Sequence, residues 1–103
     1  MSTTMKAAVF SLAAWAVAIL CHFLLIVGAA ITLAEAPLST AELGVVILLQ
    51  VQLLIAVVAT GFIFFKTSAF PRLKRALWVA AFAVLQFGTW ASAAITLLVV
   101  LNR

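Results

Sequence analysis

Residues 43–65 read LGVVILLQVQLLIAVVATGFIFF, 23 positions without a charge between Glu42 and Lys66. The hydrocarbon core of a bilayer is crossed by a helix of roughly 20 mostly apolar residues. This stretch therefore reads as a membrane-spanning helix. Working outward from it, the same pattern recurs on either side: 28 uncharged residues from Ala7 to Ala34, and 27 from Ala76 to Asn102. The expected fold is all-α, a single domain over 1–103 with three transmembrane helices at 7–34, 43–65 and 76–102. The first and third windows exceed the hydrocarbon thickness, which predicts tilt or projection beyond it.

Composition agrees with that reading. Of 103 residues, 69% are hydrophobic and 8% charged. Soluble domains carry about a quarter charged residues, and disordered chains lack this apolar content. No length remains for a globular catalytic domain beside the spans. The net charge of +4 comes mainly from one connection, which holds four of the six basic residues: Lys66, Arg72, Lys74 and Arg75. A nucleic-acid partner is not expected, because such a footprint is a basic patch on a folded surface. The positive-inside rule instead sets this connection in the cytoplasm. The connection from Glu35 to Glu42 holds two acids and no base, and falls on the other side. With Lys6 at the N-terminus, the expected topology is N-in, C-out. The same four bases suit anionic lipid headgroups, although setting the topology is the simpler role. The first apolar stretch is too long for a signal-peptide h-region of about 7–15 residues, so it reads as an uncleaved anchor. The compact, loop-poor form points to a bacterial inner (cytoplasmic) membrane.

Both connections are short, so consecutive helices are expected as antiparallel neighbours. Ser39-Thr40-Ala41-Glu42 has the spacing of a capping box, with Ser39 as N-cap and Glu42 reaching back. Pro37 breaks the end of the first helix. Pro71 suits the first turn of the third, and Phe70 before it is biased out of helix. Lipid tails are as apolar as leucine, so close packing over small residues must hold the helices together. Candidate faces are Gly88-Ser92-Thr96 in the third span, Ala14, Ala18, Gly28 and Thr32 in the first, and Ala56, Thr60 and Gly61 in the second. The first of these is the most distinctive, because it avoids the abundant alanine.

Chemistry, if the chain has any, belongs among the polar residues at mid-membrane. At about 1.5 Å per residue, His22 sits near the centre of the first window. Gln50 and Gln52 flank the centre of the second, and Gln86, Thr89 and Trp90 that of the third. Residues two apart on a helix point to nearly opposite sides. One of Gln50 and Gln52 can therefore face the interior, while the other faces lipid or another polypeptide. An unpaired amide in hydrocarbon costs on the order of 4–8 kcal/mol on apolar-solvent scales, which argues for partner subunits within the membrane.

His22 has two readings. The first is an interhelical hydrogen bond to Gln52, Gln86 or a backbone carbonyl. The second is axial ligation of a haem iron or a chlorophyll-type magnesium, with Trp90 lining the site. Ala18-Ile-Leu-Cys-His22 resembles the Ala-x-x-x-His of light-harvesting polypeptides over those five residues, which implies a pigment ligand. No bound cofactor is the preferred expectation, and no Cys/His spacing suits a metal. Cys21 reads as a small packing residue. Trp78 suits the cytoplasmic interface belt, as do Phe62, Phe64 and Phe65, while Trp15 lies deeper and packs on a neighbouring helix.

Catalysis is not expected. The spans hold no carboxylate, and no nucleophile has a neighbouring base. An intramembrane Asp, Glu or Lys, the usual mark of an ion path, is absent from the spans. The leading expectation is a non-catalytic accessory subunit of a larger membrane complex of respiratory or photosynthetic type. The alternatives are a pigment- or haem-binding subunit using His22, and a self-assembling pore former. Phage holins share the size and three spans of the last class, but usually end in a strongly charged tail where this chain has Asn102-Arg103.

Overall fold

The computed structural model describes residues 2–33 and 35–101. It is a three-helix bundle of α1 (Thr3–Leu33), α2 (Leu38–Lys66) and α3 (Arg72–Leu101), with extents of 52 × 21 × 16 Å. All three helices are long and apolar enough to cross a membrane. They are rich in alanine and leucine, which favour helix, and no proline interrupts them. At 31, 29 and 30 residues, each reaches about 45 Å, well beyond a hydrocarbon core of about 30 Å. The uncharged windows underestimate the helices at most of their ends. A charge limits the stretch that hydrocarbon tolerates, not the helix, which continues into the interface where Lys and Arg extend toward water.

The inward face follows steps of four and seven residues. It consists of Ala18, His22 and Ala29 on α1, Gln52, Ala56 and Ile63 on α2, and Phe82, Gln86, Ala93 and Leu97 on α3. This is the periodicity of coiled-coil seams. Apolar character does not mark the buried set, because Leu12, Ile31, Phe65 and Val84 are all exposed. Five alanines, Ala7, Ala18, Ala29, Ala56 and Ala93, are buried with the larger side chains and let the helices close.

Of the small-residue faces expected from sequence, Ala18 and Ala56 lie in the seam and the glycine-containing stretches do not. Gly88, Ser92 and Thr96 lie on the outside of α3, and Gly28 and Thr32 on the outside of α1. A Cβ added at Gly28, Gly61 or Gly88 would meet nothing within 4 Å. A glycine helps helix packing only where another backbone approaches, and none does there. The tight contact is at Gly44, where a Cβ would stand 2.6 Å from Cδ1 at the end of the Leu33 side chain. Nor do the threonines bridge helices. Thr32, Thr60 and Thr96 each donate to the carbonyl four residues back, at 2.7–2.8 Å, a common way for a hydroxyl to satisfy itself within its own helix.

The connections also differ in detail from the sequence reading. The capping box does not form. Pro37 occupies the N-cap of α2, with φ −54° and ψ 149° and no side-chain cap, and its carbonyl accepts from Ala41 N–H at 2.9 Å. Ser39 thus lies inside the first turn, two residues past the cap position, and both Ser39 and Glu42 are exposed. Pro71 likewise stands just before α3, where its carbonyl accepts from Arg75 N–H at 2.8 Å. Between them, buried Thr67 donates its hydroxyl to Ile63 O at 2.8 Å, and Phe70 packs edge-on against Trp78 with ring centroids 5.6 Å apart.

Enlarging the seam should therefore hurt where enlarging the glycine stripe does not. Ala56→Leu is expected to destabilise the bundle by about 1–3 kcal/mol through overpacking, while Gly88→Leu stays near neutral. Reversible unfolding in bilayer-mimetic micelles measures both, and the opposite ranking would contradict the seam described above.

Candidate functional site

The polar residues of the membrane interior separate into an enclosed group and an outward group. His22, Gln52 and Gln86, one from each helix, are 3%, 0% and 0% exposed. Their side chains have no hydrogen-bond partner among the described residues: neither ring nitrogen of His22, and neither amide atom of Gln52 or Gln86. The interhelical bond expected for His22 is therefore not made directly. Gln52 and Gln86 lie close in level. Trp90 meets Leu49, and Arg75 meets Phe64, a register that sets Gln86 beside position 53. Phe10 meets Phe62, and Leu33 meets Gly44, which brackets His22 opposite positions 50–55. Neutral imidazole and two amides supply both donors and acceptors, with no charge beside them.

Gln50 and Thr89 do not join this group. Gln50 lies two residues from Gln52 and is exposed on α2, in line with Ile47, Leu54 and Val57, which are also exposed. Thr89 is half-buried on the α1 side of α3. Its hydroxyl accepts from Trp15 Nε1–H at 2.9 Å and donates to Leu85 O at 2.9 Å. Between α1 and α3 runs an open groove of about 740 Å³ lined by Trp15, His22, Gly88, Thr89, Ser92 and Thr96 among others. The stripe that does not close the bundle thus forms one wall of a groove on its outside. Cys21 is half-buried with a free thiol.

All three tryptophans tie helices together, a role expected from sequence for Trp15 alone. Trp90 Nε1–H donates to Leu49 O on α2 at 3.1 Å, so it does not line a site with His22. Trp78 Nε1–H donates to Ser11 Oγ on α1 at 2.9 Å, placing an interface residue in a packing role. The bases of the second connection are similarly engaged. Lys66 Nζ stands 4.9 Å from the Phe10 ring centroid and 5.6 Å from that of Phe62. Lys74 Nζ lies 4.4 Å from the Phe70 ring centroid and donates to Thr4 Oγ1 at 2.6 Å. The Arg75 guanidinium stacks 3.7 Å from the Phe64 ring centroid, and its Nε and Nη2 both donate to Phe64 O, at 3.1 and 2.6 Å. That carbonyl belongs to the last turn of α2, whose final carbonyls have no helical donor. Arg75 thus completes the end of α2 and complements its dipole. The sequence signal for this is weak: a basic residue soon after a helix end serves topology and helix completion alike.

No protein-family profile, curated protein or solved structure matches this chain.

Arg75→Lys keeps the charge but loses the two-nitrogen grip on the Phe64 carbonyl. It is expected to lower stability by about 0.5–1 kcal/mol, and Arg75→Ala by more. Unfolding in micelles reads both, and equal effects of the two would contradict the bidentate role.

Proposed function

We propose that this chain is a non-catalytic subunit of a larger membrane assembly and meets its partners through outward-facing polar and small residues at membrane depth. The observation that carries the reading is Gln50, an amide on the exposed face of α2 amid Ile47, Leu54 and Val57. Lipid offers it no hydrogen bond, whereas a neighbouring polypeptide with a hydroxyl, amide or carboxyl at that depth does. The groove wall of Gly88, Ser92 and Thr96 supports the same reading. A four-residue spacing of small residues lets another helix approach closely, and the bundle's own helices leave it open. The chain then acts by filling and stabilising an intramembrane interface, in the manner of accessory subunits of respiratory or photosynthetic complexes.

Orientation belongs to the same proposal. The helices read as antiparallel crossings with the basic connection in the cytoplasm of a bacterial inner membrane, N-in and C-out. Lipid headgroups there would meet Lys66, Arg72 and Lys74 at the outer edge of the bundle, all exposed.

Gln50→Leu is expected to reduce co-purification of the partner several-fold from mild detergent, while Gln52→Leu, altering an enclosed residue, leaves it near wild type. Equal and negligible effects of both would overturn the proposal. So would a wild-type preparation holding only copies of this chain, or a visible absorption band abolished by His22→Leu. Orientation is read by thiol labelling of Ser68→Cys and Ser39→Cys in a Cys21→Ala background. Ser68 and Ser39 are both exposed, whereas Thr67 is fully buried and unsuited to labelling. Labelling of position 68 from outside the cell would reverse the topology.

A further inference from the structure

At the basic end of the bundle an apolar groove begins beside two cations. It has a volume of about 470 Å³, with Arg72 and Arg75 among its lining. The apolar part of the lining is Phe64 on α2 and Ala76, Val79, Ala80 and Ala83 on α3. Steps of three and four residues put the α3 members on one face of that helix, and alanine leaves the space above them open. We propose that this groove is a binding site for one anionic phospholipid, with its phosphate on Arg72 and an acyl chain lying over Ala76, Ala80 and Ala83. The proposal rests on the reading of this connection as a membrane-surface segment, and narrows headgroup contact from a set of exposed bases to one site.

Charge selects the headgroup. Three of the four bases in this connection are engaged within the chain: Lys66 with the Phe10 and Phe62 rings, Lys74 with Phe70 and Thr4, and Arg75 with Phe64. Among the described residues the exposed Arg72 has neither a ring nor a hydrogen-bond acceptor on its guanidinium. Arg75 grips the Phe64 carbonyl through Nε and Nη2, so Nη1 stays outside that grip and is available to the same anion. The acids of the chain, Glu35 and Glu42, stand at the opposite connection and cannot neutralise either arginine. Nor is there an acid in the first turn of α3. That end of a helix dipole is positive and favours an anion, yet here it carries bases. A phosphate satisfies both the dipole and the guanidinium, whose planar fork matches phosphate oxygens.

Length selects a lipid over a free phosphate. From Arg72 to Ala83 the helix rises about 16 Å, close to half of a hydrocarbon core of about 30 Å. The apolar lining thus runs from the headgroup level through about one leaflet, which is the reach of a single acyl chain. Ala76 and Ala80 are exposed, Val79 and Ala83 half-buried, so the chain lies on the surface of the bundle without entering it. A free phosphate would use the cations and leave this apolar stretch without a function.

The test is native mass spectrometry of the full chain released from mild-detergent micelles that contain phosphatidylglycerol or phosphatidylcholine with identical acyl chains. A one-to-one adduct is expected to survive several-fold more often with the anionic lipid, and equal retention of the two would overturn the proposal. Arg72→Gln is expected to lower the anionic adduct several-fold. Lys6→Gln removes an equal charge from an exposed position at the same end of the bundle, where Lys74 meets Thr4, and is expected to leave the adduct near wild type. Equal losses in the two variants would show attraction to charge in general and overturn the site. Ala80→Phe fills the groove without changing charge and is expected to lower the adduct as Arg72→Gln does, whereas full retention would contradict a seated chain. Excess glycerol phosphate, which has the headgroup chemistry without the chains, is expected not to displace the lipid, and displacement would assign the cations to a free phosphate instead. Micelles have no sides, so these results stand apart from the topology labelling and from the partner met by Gln50.

Discussion

A bilayer interior cannot hydrogen-bond, and this limit organises the molecule more than any apolar contact does. The helices gain little by hiding leucine from lipid, since lipid is an equal solvent for it. Each polar side chain at membrane depth must instead find a partner within its own helix, on another helix or on another molecule. Thr32, Thr60 and Thr96 take the first course, bonding to carbonyls of their own turn. Trp15, Trp78 and Trp90 take the second and span between helices. His22, Gln52 and Gln86 are enclosed without a partner from the chain, and Gln50 faces outward.

The remaining architecture follows from these placements. The indole bonds distribute along the bundle: Trp78 to Ser11 and Trp15 to Thr89 join α1 to α3, and Trp90 to Leu49 joins α3 to α2. Between them, alanines at the seam let the backbones close. At the basic end the aromatic rings of Phe10, Phe62, Phe64 and Phe70 lie against Lys66, Lys74 and Arg75. The bases that orient a membrane protein by their charge are there also part of how its helix ends are completed.

Much of the fold was legible from charge spacing alone, because an apolar run of 23 residues leaves few alternatives to a span. The helix ends were less legible, since Lys6, Glu42, Lys66 and Lys74 sit within helices that outlast the hydrocarbon. The two-residue spacing of Gln50 and Gln52 was sufficient to show that they part, but not which one turns inward. That depends on the rotation of α2, which packing against both neighbours sets. The seam was legible in part, since Ala18 and Ala56 stand among the expected faces and do close the bundle, whereas the glycine stripe does not. Gly88-Ser92-Thr96 stands out in an alanine-rich chain, yet frequency in the sequence carries no information on which face meets a neighbour. Common alanines such as Ala18, Ala56 and Ala93 close the bundle, while the rarer stripe is left outside. The unsatisfied state of His22 was likewise invisible, since similar depth in the three windows does not fix the angstroms that decide a bond.

The central claim is that the outer face of α2 at mid-membrane meets another polypeptide. The most direct measurement is photocrosslinking in native membranes, with a photoactivatable amino acid at Gln50 and, as a control on another exposed face of the same helix, at Val58. The account expects a discrete protein adduct from position 50 and mainly lipid adducts from position 58. Lipid adducts alone from both positions would contradict it.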